Sequence, residues 1–490
     1  MATKNIALHE LLYNADPKSN AIIDVEQDRT LTYRELINKV EGFASYLAKE
    51  VGLTNNECVS IFLPNSWQYV VSLYAVSFLG CIAVPIDYRL TETESSFIIK
   101  DTNSSVLICD TSSEKKFPHA KKVVIKEDVP SSTHRALPFP SNQSNPLCVL
   151  YTGGTTGKQK GAILTHKNFI YVLSRLSEVW GLRRGGEVFL QFLPMTHSGG
   201  LNCGLNSSIF SSGCTVIMRR FDPLKVIDLV NKFGVTVMPA VPTVYNELIK
   251  TEKINNSVFS SLKVCFCSGA TLPKPVAEKF KEKTGITINV GWGLTEASPQ
   301  LTVCPLGIYK ENMVGLPLNG TTIFAFDEER QPLPPGQIGE LGARGPQIMV
   351  GYWNRDEETR SIFTEDGFLL TGDIGYVDSN GFVYLLGRKK NMINTGGYKV
   401  WPEEIESVLM ENPKVKEAAV VGVPDEKYGE VVKAFIVIHE EITKEEVIEF
   451  LRKKVASYKL PRYIEFTEGL PKSSVGKILH RLLRERGDHS

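Results

Sequence analysis

Apolar runs of strand length alternate with amphipathic runs of helical length through most of this 490-residue chain. CVSIFLP precedes SWQYVVSLYAVSFLG, TVIMRR precedes PLKVIDLVNKFG, VTVMPA precedes VPTVYNELIK, and SSVLICD is a further apolar run. A strand buried on both faces and followed by a helix is the repeating unit of a largely parallel sheet, with short right-handed crossovers. The chain is therefore predicted to be α/β, with mostly parallel sheets flanked by helices. The texture then changes twice. From about residue 320, shorter strands and turns such as QPLPPGQIGELGARGP predict a small β-rich subdomain. After GRKKN, PEEIESVLMENP and TKEEVIEFLRKKV read as helices, while KEAAVVGVP and KAFIVIH read as strands. The chain divides on this reading into a large domain, 1–387, with its β-rich part at about 320–387, and a small α+β domain, 388–490.

Charge and cysteine usage exclude several classes. Lys plus Arg equals Asp plus Glu, 55 against 55, so no overall field recruits nucleic acid or an anionic membrane. The nine cysteines form neither a disulfide framework nor a zinc spacing, which fits a reducing cytoplasm. Only Cys265 and Cys267 are close, and strand alternation points both to one face. The start of the chain lacks a basic patch followed by an apolar core, so it does not read as a secretory signal. The uncharged stretch 59–86 is the one candidate membrane span. Pro64, Asn65, Gln68, Gly80 and Pro85 interrupt it, and it reads instead as a strand, a helix around 66–79 and a strand at 81–86. No transmembrane span is expected, and a homo-oligomer stays open.

LYTGGTTGKQKG, 150–161, carries the first chemistry. An apolar strand, CVLYT, runs into a loop of glycines, threonines and lysines and then toward AILTHKNFIYVLSRL, read as helical. Glycine lets backbone approach an anion closely, while hydroxyls, free N–H groups and lysine supply donors and charge. That is a phosphate loop or, failing that, a flexible turn. It is not a Walker A loop, because Thr152 stands where the first glycine belongs and Gln159 where Ser or Thr does. There is no GxSxG elbow, and the eight histidines form no close metal-ligand pair.

This segment resembles the YTSGTTGxPKG signature of the adenylate-forming superfamily, which includes acyl-CoA synthetases, peptide-synthetase adenylation domains and luciferases. Gly153 and Gln159 depart from that signature. The resemblance implies that Thr152, Gly153, Gly154, Thr155, Thr156, Gly157, Lys158 and Lys160 hold the β- and γ-phosphates of ATP. GWGLTEAS is similar to the YGxTE element, with Trp292 in place of Tyr as an adenine platform, Thr295 as an α-phosphate donor and Glu296 as a carboxylate for Mg²⁺. In LTGDIG, Asp373 would take the ribose hydroxyls. GRKKNMINTGGYKVWPEEIE would supply Arg388 to the ribose or phosphates, Lys390 as the hinge, and Gly396, Gly397 and Tyr398 beside the pantetheine of CoA. Asn391 stands there where Asp or Glu is common, so a junction ion pair is not expected at that position. LPKSSVGKILHRLL resembles the terminal PKxxxGKxxR element, which makes Lys477 the transition-state cation, and FLPMTHSGGL puts His197 beside the carboxylate. Lys477, Thr295, Glu296 and His197 are then the catalytic group. His197, Gly199, Gly200, Val241, Ser268, Gly269, Ala270, Gly291 and Gly293 would line the acyl pocket. The implied reaction is acyl-adenylate formation from an acid and MgATP, then transfer to CoA, with the small domain moving as a lid between the two steps.

The residues narrow the acid. SGGLNCGLNSSIFSSGCTV has no acidic residue before Asp222, so a free α-amino acid would bury its ammonium without a partner. The segments 197–204, 240–245, 268–270 and 291–294 contain no Lys or Arg, which demotes dicarboxylates. An apolar monocarboxylic acid remains, with a medium- or long-chain fatty acid placed ahead of an aryl acid. Acyl transfer to a carrier protein, a luciferase-like oxidase and a non-catalytic binding protein are the other readings. Arg452, Lys453, Lys454, Lys459 and Arg462 would face CoA, a carrier or only water.

Overall fold

Ser66 ends a loop in extended conformation, and its hydroxyl accepts from the Tyr69 N–H at 3.2 Å to start the helix Trp67–Phe78. All twelve residues of that helix are buried. It shares one hydrophobic core with Val59, Ile108 and Leu150 of one sheet and with Ile22 and Ile217 of another. A helix covered on all sides has no need of a polar face, which is why its sequence passes for a membrane candidate. Among the described residues, no helix is long and apolar enough to cross a membrane. The computed structural model describes residues 6–132, 137–139, 142–152, 159–473 and 476–487.

The larger sheet has thirteen strands. Asn20–Asp24, Cys214–Ile217, Val188–Gln191, Val237–Ala240, Val264–Cys267 and Asn289–Trp292 run parallel through its middle. The sheet then turns antiparallel at Thr302–Val303 and Met313–Pro317. It continues through Val383–Arg388, Leu369–Val377, Gly339–Arg344 and Thr322–Phe326. The β-rich segment is thus the antiparallel end of the large sheet and is continuous with it. Cys265 and Cys267 enter one core while Val264 and Phe266 enter another, as strand alternation requires. All nine cysteines are free thiols.

The second sheet has seven strands, five of them the parallel set Cys58–Phe62, Ile82–Pro85, Val106–Asp110, Lys122–Ile125 and Pro146–Thr152. Pro146–Thr152 and Lys160–Thr165 pair antiparallel, with Thr152 opposite Lys160. This corrects the expected passage from loop to helix, because residues 160–165 form a strand that Gly351–Tyr352 also pairs. The helix His166–Val179 begins only afterwards. It is capped by Thr165, whose hydroxyl accepts from the Asn168 N–H while the Asn168 side chain accepts from the Thr165 N–H. Gly153, Gly154, Thr155, Thr156, Gly157 and Lys158 lie outside the described residues.

The small domain is built on a five-stranded sheet dominated by Val415–Asp425 and Gly429–Ile438. Val420, Ala434 and Ile436 face the helices Pro402–Met410 and Lys444–Arg452, while Val421 and Phe435 face Leu483 of His480–Gly487. The buried helix of the large domain is where both sheets meet. Replacing Leu73 there with Ala should therefore cost ~2–5 kcal/mol of stability. A lowered denaturation midpoint checks this, and an unchanged midpoint would contradict the packing.

Candidate active site

Asp373 on Leu369–Val377 lies directly across from Arg388 on Val383–Arg388, a register that brings a cationic and an anionic side chain together. Arg388 Nε is 2.6 Å from Asp373 Oδ1. The indole N–H of Trp292, at the end of Asn289–Trp292, donates to Asp373 Oδ2 at 2.7 Å. Burial pushes the Asp373 carboxyl above its usual range, and Arg388 and the indole donor work against that rise. The antiparallel end of the sheet and its last parallel strand meet at this one carboxylate.

Lys477 reaches the same pocket from the small domain. Its N–H donates to the Ser473 hydroxyl at 3.2 Å, and its carbonyl accepts from the Ser473 N–H at 2.7 Å. Gly476 has a φ of +79°, and a Cβ there would sit 3.0 Å from Thr243 Oγ1. From the other side, a Cβ on Gly269 would lie 3.2 Å from Lys477 Cε and 3.6 Å from Nζ. Gly269 leaves room for the lysine side chain, and Gly476 lets the backbone before the lysine close on Thr243. Burial lowers the Lys477 ammonium to about 8, helped by Arg388, while Asp373 and Glu296 pull the other way. Both carboxylates therefore act on this cation.

Thr295 and Glu296 occupy a short turn, Thr295–Ala297. The Thr295 hydroxyl is 3.3 Å from that of Ser198, and the Tyr352 hydroxyl donates to Glu296 Oε1 at 2.7 Å. Lys160 pairs with Glu358 and stands 5.2 Å above the Tyr352 ring. His197 is half-buried, its Nδ1 accepts from the Gly199 N–H at 3.3 Å, and desolvation, followed by the Lys477 charge, lowers it to about 3. It is neutral at pH 7. The residues that follow, Gly199–Asn206, wind as a π-helix.

The structure brings Trp292, Thr295, Glu296, Asp373, Arg388, His197, Val241, Gly269 and Lys477 to one cleft. Ser268 follows Val264–Cys267, with its N–H on the Ala240 carbonyl at 3.3 Å, and Ala270 beyond it is exposed. A Cβ on Gly200, Gly291 or Gly293 would meet, respectively, the Pro194 carbonyl, Phe266 with Gln300, and the Pro299 carbonyl, so no side chain fits at these positions. Gly396, Gly397 and Tyr398 are not brought to the cleft. They lie on the exposed hairpin between Ile393–Thr395 and Tyr398–Val400, at the edge of the small sheet. The Gly396 N–H donates to the Tyr428 carbonyl, and the Tyr398 ring stacks on Tyr458 at 4.7 Å. Lys390 sits in the turn Lys389–Asn391 directly after Arg388.

Sequence reasoning missed Tyr352, Ser198 and the socket formed by Thr243 with Gly476. GYWNRDEET carries a tyrosine between two stretches of the antiparallel sheet, and nothing in those letters points to Glu296.

Residues 13–353 match the family model of the AMP-binding enzymes, and residues 404–477 match that of the AMP-binding enzyme C-terminal domain. The chain belongs to the AMP-binding enzyme family and is, by class, an adenylate-forming acid–thiol ligase. Among its relatives, a long-chain-fatty-acid–CoA ligase of Bacillus subtilis (strain 168) is 34% identical over 93% of this chain and 90% of that protein. A feruloyl-CoA synthase of Amycolatopsis is 31% identical over 93% and 94%. ATP-bound MatB from Rhodopseudomonas palustris superposes with a TM-score of 0.92 at 29% identity, covering 98% of each chain.

Tyr352→Phe would leave Glu296 Oε1 without its donor. It should weaken ATP binding in the presence of Mg²⁺ about tenfold, with a modest fall in melting temperature from the lost buried bond. Calorimetric titration checks this, and unchanged affinity would mean that Glu296 needs no such support.

Proposed function

We propose that this protein is an AMP-forming acyl-CoA synthetase that activates an apolar monocarboxylic acid, a medium- or long-chain fatty acid ahead of an aryl acid. The observation that carries the reading is the Lys477 ammonium, slotted past Gly269 into the pocket that also holds Asp373 and Glu296. The likeness to ATP-bound MatB supports ATP as the nucleotide.

In the first step a carboxylate oxygen attacks the α-phosphorus of ATP, and the bond to pyrophosphate breaks. Lys477 offsets the negative charge that builds on the carboxylate and α-phosphate oxygens. The Thr295 hydroxyl donates to the α-phosphate, and Asp373 accepts from the ribose hydroxyls. Thr152 and Lys160 flank the loop whose members, Gly153 to Lys158, cradle the β- and γ-phosphates on this reading. Neutral His197 offers the acid a wall without adding a further cation to those already beside Lys477. Glu296 suits Mg²⁺: its carboxylate is a buried hard-oxygen ligand, and the one described hydrogen bond to it, from Tyr352, leaves lone pairs free. Bound there, the ion neutralises phosphate charge.

In the second step the sulfur of CoA attacks the acyl carbon, the mixed anhydride breaks, and AMP departs. Gly396, Gly397 and Tyr398 serve this step once the small domain has turned about Lys390. Beside them Tyr398, Tyr428 and Tyr458 are exposed, with Arg462 5.7 Å from the Tyr428 ring and Lys459 5.7 Å from that of Tyr458. Faces and cations in that arrangement suit the purine and phosphates of CoA. The fatty-acid preference is supported by the absence of Lys and Arg from the pocket segments 197–204, 240–245, 268–270 and 291–294 and by the Bacillus relative. The feruloyl-CoA synthase relative is the observation that keeps an aryl acid as the second reading.

The test is acid-dependent pyrophosphate release from MgATP, with and without CoA, from acetate to hexadecanoate plus benzoate and coumarate. Release with a fatty acid of eight or more carbons, and acyl-CoA with AMP as products, is expected. Release with the aryl acids alone would move the assignment to the second reading. The pH dependence follows from Lys477. Its protonated form is the active one, so kcat/KM for ATP should fall as pH rises through about 8. Lys477→Arg keeps its charge throughout that range and should lose the alkaline limb while turning over more slowly. A limb that survives in that variant would assign it to another group.

A further inference from the structure

Asp101 is the last residue of the helix Glu92–Asp101. A carboxylate at that end opposes the helix dipole, so the helix itself does not account for it. Four donors do. The Tyr151 hydroxyl donates to Asp101 Oδ2 at 2.7 Å, and Arg355 Nη2 donates to Oδ1 at 3.0 Å. The Trp353 indole N–H and the Asn354 amide donate to the Asp101 carbonyl at 3.2 and 3.3 Å. Burial first, and then the Asp101 carboxylate, push the Tyr151 phenol well above its usual range, so it stays a donor. Tyr151 adjoins Thr152, on the strand pair whose last register sets Thr152 opposite Lys160. A Cβ on Gly161 would lie 3.0 Å from the Tyr151 ring, so glycine lets that ring pack against the returning strand. The other three donors directly follow Tyr352, whose hydroxyl donates to Glu296. The Trp353 backbone N–H also donates to the Gly161 carbonyl at 2.7 Å. Arg355 Nε is 3.7 Å from Glu358, which pairs with Lys160.

We infer that Asp101 is a positioning residue for the β- and γ-phosphates of the nucleotide: through Tyr151 and Arg355 it holds Thr152 and Lys160 in register with the segment that supports Glu296. The inference rests on the proposed reading of residues 152–160 as the phosphate loop and of Glu296 as the carboxylate for Mg²⁺. An asparagine of the same size offers one acceptor oxygen and turns an amide donor toward the other partner, so either Tyr151 or Arg355 loses its acceptor. The strand pair and residues 351–355 then lose their shared side-chain anchor. The bonds to the Asp101 carbonyl persist, so the segments loosen while the fold holds. Groups that must meet one triphosphate are no longer set at one spacing.

The experiment is calorimetric binding of ATP and AMP, each with Mg²⁺, to the full-length protein, with acid-dependent pyrophosphate release measured alongside. AMP shares the base, sugar and α-phosphate of ATP and lacks the two phosphates in question. Asp101→Asn should weaken ATP about tenfold, the scale of one hydrogen bond to a charged group, and AMP by less than about threefold. KM for ATP should rise by a similar factor while KM for the acid stays as it is. Tyr151→Phe removes a single hydroxyl and should show the same selectivity for ATP. Combined with Asp101→Asn, it should add less than its own separate loss, because both act through one contact. Equal losses for ATP and AMP would make Asp101 a support of the fold alone and overturn the inference, as would unchanged ATP affinity. If Asp101→Asn fails to fold, the ATP-to-AMP ratio in Tyr151→Phe decides. If the wild-type protein binds ATP yet releases pyrophosphate with no acid, the ligase reading fails while that ratio still judges Asp101. Failure to bind ATP at all would overturn both.

Discussion

An ammonium taken out of water needs anionic partners, and Lys477 finds them only where four separated stretches of chain converge. Asp373 comes from the antiparallel end of the large sheet, Glu296 from the turn after its last parallel strand, and the room for the side chain from Gly269, while Gly476 seats its backbone on Thr243. Arg388 shares Asp373 and, with Lys390, opposes the lysine, so three cations face two carboxylates in one space. Removing one member leaves the others with an uncompensated charge, which is costly in a partly desolvated site. The balance also ties the small domain to the large one, because Lys477 belongs to the former and its partners to the latter.

Beside the charged groups, the π-helical turn after His197, Val241 and the Ser268–Gly269–Ala270 bend contribute no cation. Burial and the nearby Lys477 charge keep His197 neutral, so the wall near the reacting carboxylate remains free of a competing positive charge.

The fold was legible where burial leaves a simple pattern. Trp67–Phe78 could be bounded because Ser66 caps it and Gly80 follows it, and its uniform hydrophobicity reflects enclosure between sheets. The strand Lys160–Thr165 was not legible as such, because AILTHKNF has no break between β-branched strand residues and the helix they precede. Pairing with Pro146–Thr152 and Gly351–Tyr352 is a long-range fact that decides it. In the site, Asp373, Glu296 and Lys477 were readable from short motifs whose letters carry chemistry. Tyr352 was not, since its hydroxyl matters only through Glu296, 56 residues away in sequence. The indole of Trp292 reads from the letters only as a ring face, and the bond from its N–H edge to Asp373, 81 residues on, is a long-range fact the letters do not carry. Gly396, Gly397 and Tyr398 were assigned by motif to a site they do not touch in this arrangement of the domains.

The central claim is that Lys477 serves acyl-adenylate formation and not thioester formation. The direct measurement is to follow the two half-reactions separately in Lys477→Ala, using acid with MgATP for the first and supplied acyl-adenylate with CoA for the second. The account predicts a loss of two to three decades or more, on the order expected for one transition-state donor, in the first half-reaction only. Equal losses in both halves would contradict it.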